Sequence, residues 1–225
     1  MNRERWYWRF DTPEKYQDMV KGYYKMISGV DSVIGRIQST LREEGLSENT
    51  VIIFMSDNGY FLSDRGYADK WLMYEQSIRV PMIIYDPRQP ETKRGKIFDE
   101  MVLNIDITPT ILQLAGVQSP ERYQGSSLIA FYDKNPENWR KSIFCEHWLE
   151  KNPTILKTEC FRDDTWKFIR YLDHPDFFEL YNLKEDVNEV NNLALDKTYA
   201  DKLEFYKQKC DSVARKLMSD RIQPN

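Results

Sequence analysis

An unbroken apolar run, Val51-Ile52-Ile53-Phe54-Met55, is followed at once by Ser56, Asp57, Asn58 and Gly59, and this stretch constrains the chain more than any other. An apolar run that is rich in β-branched residues and bounded by turn residues reads as a buried parallel strand ending in a sharp turn. Open α/β sheets bind their ligands outside the carboxyl ends of such strands. Asp57 and Asn58 then stand at the lip of a crevice, aimed by a rigid element. Two adjacent hard oxygen donors there suit a divalent cation. Turn chemistry is the competing account, because Asp, Asn and Gly all tolerate left-handed backbone. From this tripeptide alone the turn account is the favoured one.

Ahead of the run, apolar residues at 20, 23, 24, 27, 30, 34, 37 and 41 repeat at helical spacing, with Gly45 as a stop. Asp31 falls on this stripe, where a carboxylate needs a partner; a buried hydrogen-bonding role is favoured there over a direct catalytic one by the family resemblance that the motifs below carry. Helix, short turn at Ser47-Glu48-Asn49 and buried strand make a right-handed crossover unit. Residues 1 to 19 are aromatic and charged, carry a helix start at Thr12-Pro13-Glu14, and suit either covering a sheet, the favoured role, or lining a substrate entrance. After the run, residues 61 to 70 form an excursion hinged at Gly66 that ends on Lys70. Pro81 delays the next strand to about Met82, and residues 89 to 96 are loop. A further short strand is expected over 101 to 105. Thr108-Pro109 opens a helix to Ala115 capped by Gly116, and Asp106 reads as helix-start chemistry, not as a ligand.

Near residue 132 the character changes. A polar stretch at 133 to 138 leads into aromatic-rich strands over 142–148, 160–162, 166–172 and 177–180, and then a last helix over 199–218. Two regions are therefore expected, 1–131 and 132–225. With 41% hydrophobic and 14% aromatic residues the chain can build a core, and a net charge of -4 gives no reason to expect nucleic acid or an anionic membrane as partner. No apolar run approaches the length of a membrane span. Cys145, Cys160 and Cys210 have the spacing of neither a zinc site nor a redox pair, so free thiols are favoured over a single disulfide.

Several motifs in series carry a resemblance. They are Gly-Val-Asp-Ser-Val-Ile-Gly-Arg-Ile (29–37), Gly-Leu-Ser-Glu-Asn-Thr-Val-Ile-Ile-Phe (45–54), Ser-Asp-Asn-Gly (56–59), Ser-Asp-Arg-Gly-Tyr-Ala-Asp-Lys (63–70) and Met-Tyr-Glu-Gln-Ser-Ile-Arg-Val-Pro (73–81). Asn-Ile-Asp-Ile-Thr-Pro-Thr-Ile-Leu-Gln-Leu-Ala-Gly (104–116) and Glu-Leu-Tyr-Asn-Leu-Lys-Glu-Asp-Val-Asn-Glu-Val-Asn-Asn-Leu (179–193) follow. In order and spacing, over nearly the whole chain, this resembles the carboxyl-terminal part of the sulfatase family, in the alkaline-phosphatase superfamily. The resemblance implies an α/β fold: part of a sulfatase-like sheet flanked by helices in 1–131, then a small antiparallel sheet with a C-terminal helix, an α+β subdomain, in 132–225.

It also implies a chemistry. Sulfatases hydrolyse sulfate esters with a formylglycine and a calcium ion; by resemblance Asp57 and Asn58 match two of the metal ligands and Lys70 the lysine that holds the sulfate. A fixed ammonium beside a metal suits a group whose charge builds in the transition state. Arg65 stands where many relatives carry histidine. As arginine stays charged, proton donation there is in doubt, and an anion or sugar-acid contact and an ion pair with Asp64 or Asp69 both stay open. His147 is read either as a substrate contact or as a packed histidine. The repeated Asn and Asp of 182 to 192 lack an EF-hand pattern and are assigned no metal.

No position in the chain fits Cys/Ser-x-Pro-x-Arg, the segment that supplies the formylglycine. The resemblance places that segment and the remaining metal ligands in an amino-terminal portion, the expected partner of these residues, and implies that the chain alone is inactive. A sulfated carbohydrate or small molecule is the expected substrate. A phosphodiesterase or phosphonate hydrolase of the same superfamily, or a non-catalytic remnant, are the alternatives; asparagine at 58, where histidine is common in the hydrolases, favours the sulfatase. The sequence itself sets no compartment, and the resemblance is consistent with a periplasmic or secreted one.

Overall fold

The computed structural model describes residues 1–133, 136–148 and 155–222, the last four by backbone alone. Residues 134 and 135 of the expected polar linker lie outside them. In chain order the elements are α1 (Asn2–Arg9), α2 (Pro13–Glu43), β1 (Ile52–Met55), β2 (Phe61–Leu62), β3 (Ala68–Asp69), α3 (Glu75–Ile78) and β4 (Met82–Tyr85). Then come α4 (Ile107–Leu114), β5 (Ser142–His147), β6 (Thr158–Asp163), β7 (Trp166–Tyr171), β8 (His174–Asn182) and α5 (Ala200–Ile222). By contacts they group into two compact units, each discontinuous in sequence: Tyr23–Asp57 with Pro81–Lys141, and Met1–Gly22 with Asn58–Val80 and Ser142–Asn225.

In the unit containing β1, that strand pairs antiparallel with β4, Ile52 opposite Tyr85 and Met55 opposite Met82, in a two-stranded sheet. This corrects the parallel reading for the partner that β1 has among the described residues: a short apolar run reports burial, and strand direction is not encoded in it. All four β1 residues are half-buried. Along β4 the pleat alternates, so that Met82 and Ile84 pack against Leu128, Phe131 and Trp139 while Ile83 and Tyr85 are exposed. β4 begins at Met82, directly after Pro81, as the missing N–H of proline dictates.

The expected strand over 101–105 does not form. Asn104–Asp106 is a 3-10 turn that runs straight into α4. Asp106 is fully buried and accepts from the backbone N–H of Leu103 at 2.7 Å and of Ser126 at 2.8 Å, while Arg140 grips both its oxygens. The carboxylate thus organises the helix start and is charge-paired, which removes it from the candidate ligands.

α2 ends as its sequence requires. Gly45 adopts φ +68°, its N–H reaches the Arg42 carbonyl at 3.1 Å and that of Leu46 the Leu41 carbonyl at 2.8 Å, the paired bonds of a Schellman stop. Its apolar stripe, however, is not buried within these residues: Tyr24 is 62% exposed, Ile27 49% and Ile37 51%. Asp31 is exposed as well, not buried as its place on the stripe suggested. Periodicity shows which face a helix is built to bury and is silent on what covers it.

In the other unit, β5–β8 form an antiparallel meander. α5 covers one face, packing Tyr206 and Cys210 on Phe161, Phe168 and Leu180. The opposite face carries Cys160, Ile169, Tyr171 and Tyr181, and residues of 58–80 pack on it through Phe61, Met73 and Tyr74. All three cysteines are free thiols; burial holds Cys160 well above the usual thiol value and pushes Cys210 up to about 12. Among the described residues no helix is long and apolar enough to cross a membrane.

Candidate functional site

Asp57 and Asn58 follow β1 directly. Neither adopts a left-handed backbone, and Gly59 does not either. A left-handed backbone therefore does not account for the choice of these three residues. Gly59 is fixed by a close approach instead: a Cβ there would sit 2.1 Å from the carbonyl oxygen of Gln76, and its N–H donates to the Ser77 carbonyl at 2.8 Å. The segment after the Asp-Asn pair is thereby held against the α3 backbone. Gly59→Ala is expected to cost about 1–3 kcal/mol, the usual penalty of overpacking a backbone contact that cannot flex. Thermal unfolding measures it, and an unchanged midpoint would show that the backbone yields.

Lys70 closes the β2–β3 excursion, in which Phe61 pairs with Asp69 and Leu62 with Ala68. Its Nζ donates to Asn58 Oδ1 at 2.5 Å, while Asn58 Nδ2 donates to the Gly59 carbonyl at 2.8 Å. The second bond fixes which way the amide points, so its oxygen faces a positive charge. Two of the residues singled out in sequence, twelve positions apart, therefore meet.

Both neighbours of Lys70 are left-handed, Asp69 at φ 74° and Trp71 at φ 83°. Such conformations are uncommon outside glycine and persist only where the surroundings determine them. Asp69 pairs with Arg5 and, at 2.8 Å, with Arg9. Although burial works to raise its carboxyl, the two arginines hold it below the usual value.

Arg65 makes neither of the ion pairs left open for it. It takes φ 57°, donates to the carbonyls of Asn188 (2.8 Å) and Glu189, and lies over the Tyr74 ring at 3.9 Å. Asp64 instead accepts from the Leu62 N–H at 2.9 Å, closing the turn. His147, last residue of β5, lies opposite Thr158, and among the described residues its buried Nε2 has no hydrogen-bond partner. Burial lowers its pKa, which favours the neutral imidazole. Among the described residues no hydrogen bond or ion pair joins Lys70, Arg65 and His147 to one another.

Several residues around the excursion escaped the sequence reading. Asn2, Arg5 and Arg9 reach it from α1. Lys167, fully buried, pairs with Glu75 and Glu189, each at 2.6 Å. Glu179 accepts from the hydroxyls of Tyr74 (3.0 Å), Tyr171 (2.8 Å) and Tyr181 (2.8 Å), and burial together with that carboxylate pushes all three phenols up. One signal was readable: Lys167 shares a β-strand face with Ile169 and Tyr171, and a charge on an apolar face demands a partner. Among the described residues no group of three or more His, Cys, Asp or Glu side chains is placed to hold a metal ion.

A strand-end Asp-Asn-Gly, a lysine on the amide oxygen and a four-stranded meander closed by a helix define a class, and comparison with known proteins gives its name. Residues 5–117 match the family model described as Sulfatase, and residues 63–216 match the one described as N-sulphoglucosamine sulphohydrolase, C-terminal. The chain belongs to the sulfatase family. Among its relatives, an N-acetylglucosamine-6-O-sulfatase of Bacteroides thetaiotaomicron is 33% identical over 84% of this chain and 34% of its own length. A solved structure of a protein in complex with its substrate D-glucosamine-2-N,6-O-disulfate superposes with a TM-score of 0.83 at 30% identity, over 93% of this chain and 43% of the other. The phosphonate monoester hydrolase of Agrobacterium radiobacter superposes with a TM-score of 0.73 at 29% identity, over 88% of this chain and 40% of the other. The chain thus spans roughly a third to two-fifths of the length of the proteins it matches.

Proposed function

We propose that these residues are the carboxyl-terminal part of a sulfatase that hydrolyses the sulfate ester of a carbohydrate, an amino-sugar 6-sulfate being the substrate class that its N-acetylglucosamine-6-O-sulfatase relative suggests. The observation that carries the reading is the Lys70 ammonium held 2.5 Å from the Asn58 amide oxygen beside a strand end. An ammonium so placed can donate to a sulfate oxygen and stabilise charge as the ester bond breaks.

Asp57 and Asn58 are the residues that would hold calcium. Both offer hard oxygen, and the Asn58 oxygen already faces a cation. When bound, calcium supplies a fixed positive charge beside the ester. The ion takes about six to eight oxygens, so two ligands make a partial set. The sequence holds no Cys/Ser-x-Pro-x-Arg, so in this reading the formylglycine comes from a portion outside these residues. The exposed apolar stripe of α2 supports the same conclusion, since a helix of that pattern is built to be covered. Arg65 serves this reading by fixing the excursion, and His147, whose Nε2 is buried without a hydrogen-bond partner among the described residues, as a contact for substrate. A phosphonate hydrolase is the second reading, favoured by the Agrobacterium structure and opposed by asparagine at 58.

Two measurements test the proposal. On the chain alone, calorimetry is expected to find calcium binding in the millimolar range or none, with Asp57→Ala abolishing what there is; micromolar affinity lost on that substitution would mean a complete site lies within these residues. With the formylglycine-bearing portion supplied, an aryl sulfate and N-acetylglucosamine 6-sulfate are expected to turn over faster than a phosphonate monoester. The reverse order would establish the hydrolase.

A further inference from the structure

α1 buries none of its eight residues, so it adds no side chain to the core. Its polar side chains nonetheless converge on one target. Arg3 donates to the Gly66 carbonyl at 2.9 Å, Trp6 Nε1 to Ser63 Oγ at 2.8 Å, and Arg5 and Arg9 pair with Asp69. The Arg5 guanidinium also sits 5.0 Å from the ring centre of Trp71. Asn2 is the most specific of the set. Its Nδ2 donates both to the Ala68 carbonyl at 2.9 Å and to the Lys70 carbonyl at 2.8 Å. One amide nitrogen has two N–H groups, and here both are used.

These contacts bracket Lys70. The two carbonyls drawn to Asn2 lie on either side of Asp69, whose φ of 74° is one of the two strained conformations flanking the lysine; the other is Trp71 at 83°. A left-handed non-glycine residue costs of order 1–3 kcal/mol, and relaxing either would turn the Lys70 side chain away from Asn58. We propose that Asn2 and Asp69 are positioning residues: through α1 they hold the Asp69-Lys70-Trp71 backbone in its strained form and so aim the Lys70 ammonium. This rests on the reading of Lys70 as the group that binds sulfate. Neither residue touches substrate in it; both act through the lysine.

The test is a double-mutant cycle on the complete enzyme, these residues together with the formylglycine-bearing portion, assayed with an aryl sulfate. Asn2→Ala removes both donors, and Asp69→Asn removes the arginine pairing while keeping a residue that tolerates positive φ. Each is expected to lower kcat/KM about tenfold when Lys70 is present and by less than about twofold in a Lys70→Ala background, because only the aim of the lysine is lost. An equal fold-loss in both backgrounds would show a general structural effect and overturn the proposal. If Lys70→Ala by itself leaves kcat/KM unchanged, the sulfate-binding reading fails first and the positioning role with it. The background comparison separates the two failures, and Asp69→Asn gives the answer should Asn2→Ala disturb α1.

Discussion

Lys70→Ala is expected to lower kcat/KM for a sulfate ester by about 100-fold or more in the complete enzyme while moving the thermal midpoint by no more than about 2 °C. The asymmetry follows from where the side chain ends. Its stem is half-buried, and among the described residues its ammonium donates to one side chain, Asn58 Oδ1. Removing it takes away one charge-assisted hydrogen bond at a partly buried site, so folding loses little. Catalysis loses more. A preorganised cation aimed at an oxygen that gains charge in the transition state contributes on the order of 10²–10³ in rate, and water does not replace it because water must reorient. The loss should fall mainly on kcat, since the charge on the sulfate is largest in the transition state. Lys70→Arg should not rescue it: the planar guanidinium is larger and presents its donors as a fork, not as a rotatable point charge. Retention of activity to within about threefold would remove Lys70 from the mechanism.

The sequence showed half of this arrangement and concealed the rest, for reasons that particular residues make clear. Asp57, Asn58 and Lys70 could be singled out because their motifs are contiguous, and Asn58 and Lys70 were brought together by a short excursion with a glycine hinge. The four strands from 142 onward were readable because aromatic and β-branched residues cluster there. Their edges were not, since β8 begins at His174-Pro175-Asp176, which reads as turn. Strand direction failed at β1: the apolar run fits either orientation, and only the partner, β4, decides. Asp31 failed for another reason. It sits on a stripe made to be buried, and nothing among these residues buries it. Arg65 was left between an anion or sugar-acid contact and an ion pair with Asp64 or Asp69, yet it donates to carbonyls at 188 and 189. Such long-range choices leave no periodic trace. Asn2 shows this most plainly, as nothing in an amide at the start of an exposed helix announces two carbonyls 66 and 68 residues away.

Lys167→Met is expected to cost about 3–5 kcal/mol, the usual consequence of stripping a buried ion pair of one partner, and to lower the thermal midpoint by about 10 °C. Lys167 and Glu189 are both fully shielded from solvent, and the ammonium also pairs with Glu75 at 2.6 Å and donates to the Met73 carbonyl at 3.1 Å. Met fills the same volume but leaves two carboxylates with Arg162, 3.3 Å from Glu75, as the remaining cation paired with them among the described residues. The pH dependence identifies the cause. Burial alone would raise Glu75, yet Lys167 and Arg162 hold it below its usual value, so in the wild type it stabilises the fold above about pH 4.5 and this is lost as pH falls through its lowered pKa. Glu189 runs the other way: burial keeps it raised even with Lys167 opposing. Without the lysine that rise grows, the proton-bound form is favoured in the folded state, and acid stabilises the variant. The gap between wild type and Lys167→Met should therefore narrow as the pH is lowered from 7 towards 5, and Glu189→Gln combined with Lys167→Met should recover part of the loss at pH 7. A gap independent of pH, with no recovery in the double variant, would mean that the cost is one of packing and not of charge. Because Glu189 also accepts from the Glu75 N–H at 2.8 Å while its carbonyl receives Arg65, the same network fixes the segment that leads into and out of the Lys70 excursion. Activity in the complete enzyme should accordingly fall with stability in this variant, whereas in Lys70→Ala the two separate.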